Sequence, residues 1–382
     1  MESDRDVDPT APPRPHLNRV AHARLVVGPP PAEDRIFYQN IWFRGHNSPQ
    51  VEGLVTRLAR VDCYLAMCSA RTWPRAVQYR AYRALGPVRH RLVVEAAGRR
   101  YQWMLAHGHD QIRYFPGRVV AQLDDPSFSP EEVAMVSRPN VAVTVVTADS
   151  AVRRFQELGV PGPFYVLPLG AETETLTDEA VGRVRRQHRP DNRSGGDAEV
   201  VVGYIASTLR LTGDRHADNP LHNVDHLLEL WDAVHARVPA ARLWLVGETS
   251  ARLRQRVGGR RDIVLFGAIP RDHSLAYVAN FDIALYPRTA DQGVRASKVA
   301  EYMAAGVPTV SYDYRVVDDL REAGAGLLAR TPAEFVAAVE RLVLDPAERR
   351  RLGDAARRAG EERDWRVLVP RFERDVLDVY LA

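Results

Sequence analysis

The feature that most constrains the fold is a regular alternation of short apolar runs and amphipathic segments in the second half of the chain. Between residues 199 and 344, apolar runs such as ARLWLVG alternate with segments such as HNVDHLLELWDAVHARV, whose apolar residues recur at helical spacing. Short apolar runs bounded by turn signals indicate buried strands, and the segments between them have the length of crossover helices. The pattern therefore predicts an α/β fold of parallel βαβ units with helices on both faces of a sheet.

The first half of the chain shows the same alternation less clearly. A helix is expected over 73–108, which is rich in Arg, Tyr and Ala, and another is expected to be capped by Ser150 and to end at Gly159. Buried strands are predicted within 22–29, 62–68, 117–128, 140–150 and 162–172.

A chain of 382 residues is long enough for two domains. The polar, Gly-containing stretch TDEAVGRVRRQHRPDNRSGGDAE interrupts the alternation and is interpreted as a linker. The predicted organisation is a disordered tail (1–20), a first domain (21–175), the linker (176–198), a second domain (199–362) and a closing helix (363–382) that packs back on the first domain. Ligands of such sheets bind beyond the carboxyl ends of the strands, so the cleft between the domains is the expected site.

Charge and composition limit the classes of function. The formal net charge is +3, and the basic stretch 177–199 lacks interleaved aromatic residues, so nucleic acid is not an expected partner. No apolar run approaches the ~20 residues of a membrane span, and the acidic, Pro-rich N-terminus has no signal-peptide pattern, so a cytoplasmic protein is expected. Contact with anionic lipid through the arginine-rich 73–100 segment is the less favoured alternative to a solvated helix face. Cys63 and Cys68 are interpreted as core thiols, not as metal ligands.

The stretch RASKVAEYMAAGVPTV (295–310) contains the one lysine of the chain, Lys298. Ser297 is the predicted N-cap of a helix that ends before Gly306, and Lys298 lies in its first turn. A cation is unfavourable at that end of a helix unless an anion such as phosphate shares the site. Glu301 lies on the same face, where it can accept hydrogen bonds from ribose hydroxyls. The alternative is an exposed ion pair between Lys298 and Glu301.

SKVAEYMAAGVPTV resembles the donor-binding signature of GT-B glycosyltransferases, specifically the retaining group called family 4. VVGYIASTLR, LWLVGE and IVLFGAIPRDHSLAYVANFDIALYPR are similar to further stretches of that family, in the same order, so that the resemblance covers roughly residues 199–340. It implies two Rossmann-like, doubly wound domains that face each other across a cleft. It also implies retaining transfer from a nucleotide diphosphate sugar, most expectedly a UDP- or GDP-sugar, without a cofactor or an essential metal.

The resemblance also assigns roles to residues. Lys298, Ser297 and the helix amides would bind the donor diphosphate, Glu301 the ribose, and Arg210 would neutralise the diphosphate. The donor set is completed by the backbone from Gly267 to Ile269 around the base, and by the loop residues Gly293 and Val294. Two departures are visible. Gly293 stands where the family has a glutamate that contacts the transferred sugar, which leaves the sugar open. The family's phosphate lysine after the Arg210 position is absent, and Arg215 is one candidate to replace it.

On the acceptor side, the family often has a histidine at the end of a strand in the first domain. The stretch AQLDDP offers Asp124 and Asp125 instead. Either could orient the sugar or the acceptor, with Asp124 as the catalytic candidate, and a turn cap is the alternative for both. The segment FYQNIWFRGHNSPQ (37–50) is assigned to the acceptor side, with His46 as a weaker candidate. The acceptor itself is expected to be a small molecule or a glycan with a hydroxyl or amine, such as a natural product or an envelope glycan.

Two other classes stay open. One is a sugar-nucleotide epimerase or a phosphorylase on the same fold, and the other is a non-catalytic relative that binds a nucleotide or a protein partner. A nicotinamide-dependent dehydrogenase is disfavoured, because no G-x-G-x-x-G follows a strand and opens a helix.

Overall fold

The computed structural model describes residues 31–40, 53–65, 88, 91–189, 199–214, 224–289 and 295–381. The contacts divide the chain into two compact units. The first contains the residues up to Pro168 and those from Leu368 onward, and the second contains Leu169–Val367. Each unit contains one parallel sheet of six strands with helices in the connections, which confirms the predicted α/β class.

The sheet of the first unit has the strand order β2-β1-β3-β4-β5-β6. Its strands are β1 (Ile36–Asn40), β2 (Val61–Leu65), β3 (Trp103–His107), β4 (Arg118–Leu123), β5 (Val141–Val146) and β6 (Phe164–Val166). The helices after β3, β4 and β5 are α1 (His109–Ile112), α2 (Pro130–Val136) and α3 (Asp149–Glu157).

Two expectations for the first unit are wrong. The segment 73–108 is not helical throughout, because residues 91–97 form a helix but Trp103–His107 is strand β3, buried at the centre of the sheet. The assignment of 37–50 to the acceptor side stays a prediction, and its first residues, up to Asn40, belong to strand β1. The helix near 150 begins at Asp149 after Ala148, so Ser150 is not its cap. The predicted strand at 22–29, Cys68 and His46 lie outside the described residues, whereas Cys63 is buried as a free thiol.

The sheet of the second unit has the order β12-β11-β10-β7-β8-β9. Its strands are β7 (Val201–Leu209), β8 (Arg242–Thr249), β9 (Ile263–Gly267), β10 (Ile283–Tyr286), β11 (Thr309–Tyr312) and β12 (Gly326–Ala329). From β7 the chain adds strands toward one edge, and from β10 it adds strands toward the other. This is the doubly wound order, and its topological switch point lies between β7 and β10.

Helices follow the strands of the second unit as the alternation predicts. They are α4 (Asp178–His188), α5 (Val224–Arg237), α6 (Ala251–Val257), α7 (Ser274–Val278), α8 (Ser297–Ala304), α9 (Asp318–Ala323), α10 (Pro332–Leu344) and α11 (Pro346–Glu361). Helix α12 (Trp365–Phe372), a π-helical turn (Glu373–Leu377) and α13 (Asp378–Tyr380) end the chain. The domain bounds expected from the sequence stay predictions, and the segment expected to be a linker contains α4. Among the described residues, no helix combines the length and the apolar character that a membrane span requires.

Helices α8 and α11 pack so closely that there is no space for a side chain at Gly360. A Cβ atom at this position would lie 2.5 Å from the Cα atom of Ala304 and 2.6 Å from the carbonyl oxygen of Met303. The obstacle is backbone, which cannot rotate away as the end of a side chain can. Because glycine has no Cβ atom, Gly360 allows the short distance between α8 and α11.

We expect Gly360→Ala to lower the free energy of unfolding by about 1–3 kcal/mol, because the helices must move apart. Gly182→Ala is the matched control, since Gly182 also lies in a helix but its nearest atom is the flexible Arg186 guanidinium at 3.2 Å. Alanine is the better helix former, so the control should stabilise the protein by about 0.5–1 kcal/mol. Urea unfolding of both variants measures the difference, and equal stability of Gly360→Ala and the wild type would contradict the close packing.

Candidate functional site

At the switch point of the second sheet, the buried Tyr302 of α8 bonds to the backbone of both separating strands. Strands β7 and β10 pair only through Ile283 with Val202 and through Ala284 with Gly203. Beyond these pairs, the hydroxyl of Tyr302 donates a hydrogen bond to the Leu285 carbonyl at 3.3 Å and accepts one from the Ile205 N–H at 3.4 Å. Tyr302 therefore ties α8 to both strands at the point where a doubly wound sheet binds its ligands.

The N-terminus of α8 has no side-chain cap. Ala296 is the N-cap residue, with an extended backbone and no side-chain hydrogen bond, and Ser297 is the first helical residue. The prediction that Ser297 caps the helix is therefore wrong by one position, because the chain turns into the helix one residue earlier. The uncapped N–H groups of the first turn suit an anion. The predicted end of the helix is confirmed, since Gly306 follows with a φ of 68°.

Lys298 lies in the first turn of α8, and its ammonium lies 5.3 Å from the centre of the Tyr204 ring on β7. Burial is the main cause that lowers the pKa of Lys298, and the charge of Arg288 lowers it further. Tyr286 and Glu301 act in the opposite direction. The lysine is thus held beside the switch point in surroundings that disfavour its charge.

Glu301 lies one turn further along α8, and burial raises the pKa of its carboxyl group. The positive charges of Arg271 and Lys298 partly offset that effect, whereas the negative charge of Glu172 adds to it. Arg271 itself lies 3.4 Å from the Glu172 carboxylate. Glu301 is therefore a half-buried acceptor group whose ionised form depends on two neighbouring cations.

Two arginines lie at the carboxyl ends of the strands on either side of the switch point. Arg210 directly follows β7, and its guanidinium lies 3.9 Å from the Glu248 carboxylate. Arg288 follows β10 and donates a hydrogen bond to the Tyr286 hydroxyl at 3.1 Å. Arg288 was not among the site residues expected from the sequence, although its position at the end of the run DIALYPR is a signal that could have identified it.

The segment that leads into α8 is fixed by Arg295, whose side chain is 7% exposed. Its guanidinium lies 3.5 Å from Asp319 and 3.7 Å from Glu322, both on α9, and Asp319 also accepts a hydrogen bond from Arg363 at 3.0 Å. A buried cation of this kind is tolerated because carboxylates surround it. Arg295 thus positions the residues directly before Ser297 and Lys298.

The remaining donor-side predictions fall on β9 and on the loop before α8. Gly267 ends β9 with a φ of 74°, and no atom lies within 4 Å of a Cβ built on it, so its backbone borders open space. Ile269 follows it and is partly buried. Gly293, Val294 and Arg215 lie outside the described residues.

In the first unit, Asp124 belongs to a polar group at the carboxyl ends of β3 and β4. It accepts a hydrogen bond from Gln122 at 3.1 Å, and its carboxylate lies 3.9 Å from His107 Nδ1. His107 was not among the site residues expected from the sequence, because a helix was expected over it. Asp125, by contrast, is exposed. The structure therefore places Asp124 next to a histidine at a strand end.

Within the part of the chain that the structure describes, no three His, Cys, Asp or Glu side chains are grouped as metal ligands would be.

The comparisons agree with this geometry. Residues 210–345 match the family Glycosyl transferases group 1, which confirms the resemblance for that part of the second unit. HepE from Anabaena, solved in complex with UDP, is similar in structure with a TM-score of 0.66 and 15% identity, over 90% of this chain and 100% of that chain. Sucrose-phosphate synthase from Thermosynechococcus elongatus gives a TM-score of 0.60 at 15% identity, over 83% of each chain.

α,α-Trehalose-phosphate synthase (UDP-forming) from Burkholderia vietnamiensis is similar with a TM-score of 0.56 and 14% identity, over 80% of this chain and 77% of that chain. No curated protein matches this sequence. The two Rossmann-like units therefore have the GT-B fold, as expected from the sequence.

The lowered pKa of Lys298 has a measurable consequence. Binding of inorganic pyrophosphate should weaken as pH rises, because the ammonium loses its proton below the ordinary lysine value of about 10.4. Lys298→Arg stays charged over this range, so it serves as the matched variant. We expect the ratio of wild-type to variant affinity to fall as the pH rises toward the ordinary lysine value of about 10.4, as measured by isothermal titration calorimetry. A ratio that stays constant to pH 10 would exclude Lys298 as a ligand of the anion.

Proposed function

We propose that the protein is a retaining glycosyltransferase that transfers a sugar from a nucleotide diphosphate sugar to a hydroxyl or amine acceptor. The observation that carries the proposal is the uncapped N-terminus of α8 at the switch point, with Lys298 in its first turn and Glu301 on the next. Helix amides and an ammonium bind a diphosphate, and a carboxylate one turn away accepts hydrogen bonds from ribose hydroxyls. The match of residues 210–345 to glycosyltransferases supports the same activity.

In the proposed reaction, the bond between the anomeric carbon of the sugar and the donor phosphate oxygen breaks, and its electron pair stays on the oxygen. The acceptor oxygen or nitrogen forms the new bond to the anomeric carbon on the same face, and its proton passes to a donor phosphate oxygen. Negative charge grows on the leaving diphosphate, where Lys298, Arg210 and the α8 amides stabilise it. Because these groups supply positive charge, the proposal includes no essential metal.

UDP is the first nucleotide to test. HepE, a structural neighbour, was solved with UDP, with UDP and glucose, and with UDP-glucose. A GDP-sugar is the second donor included in the proposal, since the base would be contacted by the backbone from Gly267 to Ile269.

The proposal predicts that one nucleoside diphosphate stabilises the protein in the presence of EDTA. At 100 times its Kd, the ligand should add about 2.7 kcal/mol to the free energy of unfolding. UDP, GDP, ADP and TDP are compared by thermal shift and calorimetry, with Lys298→Ala as the test variant. Arg183→Ala is the control, because Arg183 is an exposed residue of α4 that pairs with Glu179. If the wild type binds none of the four, or if Lys298→Ala binds equally well, the proposed donor site is wrong.

Sugar conjugates of the nucleotide that binds are then tested for transfer, and the anomeric configuration of the product is read by NMR. Product with an inverted anomeric centre would refute the retaining mechanism. Activity that disappears with EDTA and returns with a divalent cation would refute metal independence. A nucleotide that binds without any transfer would favour a non-catalytic relative.

Asp124 is proposed as the group of the first unit that orients the acceptor or the transferred sugar, with His107 beside it. We expect Asp124→Asn to lower kcat/KM for transfer about 10- to 100-fold while the affinity for the nucleotide stays unchanged, because a hydrogen bond to a charged group is lost. Asp125→Asn tests the other aspartate, and the exposed Asp110→Asn is the control. If Asp124→Asn transfers sugar at the wild-type rate, Asp124 only caps a turn.

A further inference from the structure

Three basic residues approach the switch point of the second sheet from three different elements. Arg210 follows β7, Arg288 follows β10, and Lys298 lies in the first turn of α8. Strands β7 and β10 are parallel neighbours, so Arg210 and Arg288 lie at the same edge of the sheet.

Arg288 is oriented but not neutralised. Its Nη1 atom donates to the Tyr286 hydroxyl at 3.1 Å, which fixes the direction of the guanidinium. Its Nε atom is buried and has no hydrogen-bond partner among the described residues. No described carboxylate forms an ion pair with it within 4.0 Å. A buried donor without a partner is costly, so this geometry suits a ligand that brings an acceptor.

The positive charge of Arg288 also affects the pKa of two neighbouring groups, Lys298 and Tyr204. It is among the charges that lower the pKa of Lys298, and it counteracts the effect of burial on the Tyr204 hydroxyl. Arg288 therefore acts on the same part of the site as Lys298. Two cations that act on one place repel each other, and a bound anion attracts both of them.

The other arginines near the site have carboxylate neighbours. Arg271 lies 3.4 Å from Glu172, and Arg210 lies 3.9 Å from Glu248. The loop after Arg210, TGDRHADNPLHN, contains no lysine, and Arg215 is one candidate for the second phosphate cation there. Arg288 offers a cation to the same switch point from the neighbouring strand.

We propose that Arg288 binds the donor diphosphate together with Arg210 and Lys298. The inference rests on the proposed function, since it names a further residue of the same donor site. A guanidinium offers several N–H groups in one plane, so Arg288 can donate to two phosphate oxygens while Nη1 stays on Tyr286. When the sugar leaves, the electron pair of the broken bond stays on the phosphate oxygen, and Arg288 stabilises that added charge.

The test compares Arg288→Ala and Arg288→Lys with the wild type. Calorimetry measures the binding of UDP, GDP, inorganic pyrophosphate and the two free nucleosides, uridine and guanosine. We expect Arg288→Ala to weaken UDP or GDP and pyrophosphate about 10- to 100-fold, the usual effect of a lost hydrogen bond to a charged group. Nucleoside affinity should stay within about twofold, because the phosphates are absent. Arg288→Lys should recover part of the loss, since it restores the charge without the planar donors.

Two further measurements separate a contact from a structural role. Tyr286→Phe removes the hydroxyl that orients Arg288 and should weaken diphosphate binding less than Arg288→Ala does. In wild-type protein, diphosphate affinity should fall with added salt more steeply than in Arg288→Ala, because one cation fewer contacts the phosphates. Arg183→Ala is again the control, and its affinities should equal those of the wild type.

The possible results show whether the role of Arg288, the proposed function, or both are wrong. If the wild type binds UDP or GDP and Arg288→Ala binds it equally well, Arg288 is not a ligand, while the proposed function stands. If the wild type binds pyrophosphate but no nucleoside diphosphate, and Arg288→Ala loses pyrophosphate, the role of Arg288 stands and the proposed donor is wrong. If the wild type binds none of these anions, both are wrong. Should Arg288→Ala fail to fold, Arg288→Lys decides. If this variant loses affinity for the diphosphates but not for the nucleosides, the contact is supported. If its diphosphate affinity is unchanged, or if diphosphates and nucleosides lose affinity equally, the inference is overturned.

Discussion

The hydroxyl of Tyr302 is the contact on which the geometry of the second unit depends. It occupies the point where β7 and β10 cease to pair, and it bonds to the backbone of both strands. A doubly wound sheet must separate its strands at the switch point, and the separated backbone groups need new partners. One side chain of α8 satisfies two of them. The opening of the sheet and the position of the helix are therefore set by the same interaction.

Two further contacts fix α8 at its ends. Gly360 lets α11 approach Ala304 at the C-terminal end, and Arg295 bonds the segment before the helix to the carboxylates of α9. None of these contacts involves a ligand, yet together they decide where Lys298 and Glu301 point. The proposed diphosphate site needs this kind of support from packed residues, because a ligand is bound well only by groups held in place.

The electrostatics of the site follow from that rigidity. Burial lowers the pKa of Lys298 and raises the pKa of Glu301, so both groups are held where their charged forms are disfavoured. In surroundings of low polarity, charges interact more strongly than they do in water. A bound diphosphate would favour the charged lysine, and the ribose would give the carboxylate hydrogen-bond donors. By the proposed function, donor binding would therefore favour the charged forms that burial disfavours.

How much could be predicted from the sequence depends on the length and the local character of each element. The strand runs around β7, β8 and β9 and the helix over 332–344 are long apolar or amphipathic patterns, and the structure confirms them. Strand β3 was mistaken for helix because five residues, WMLAH, contain no β-branched residue and show no alternation. Helix α11 was not predicted, since its buried face includes Gly353, Ala356 and Gly360, which give little hydrophobic signal.

The same distinction applies to the site. Lys298 and Glu301 were found because they lie three residues apart on one helix with a recognisable pattern, so their proximity is a local property of the chain. His107 was missed because a helix was expected over it, and it lies near Asp124 because β3 and β4 are adjacent with His107 opposite Gln122. Arg288 was missed because its place at the switch point depends on the strand order, in which β10 lies next to β7.

The two units differ in a way that bears on specificity. The second sheet has its switch point between β7 and β10, and the groups proposed for the nucleotide lie around it. In the first sheet, β2 lies outside β1, so the switch point falls between β1 and β3, and His107 ends one of these two strands. The rule that ligands bind at switch points therefore selects the end of β3 in the first unit as it selects the end of β7 in the second. By this argument the residues that decide the acceptor should be sought around His107 and Asp124, at the carboxyl ends of β3 and β4.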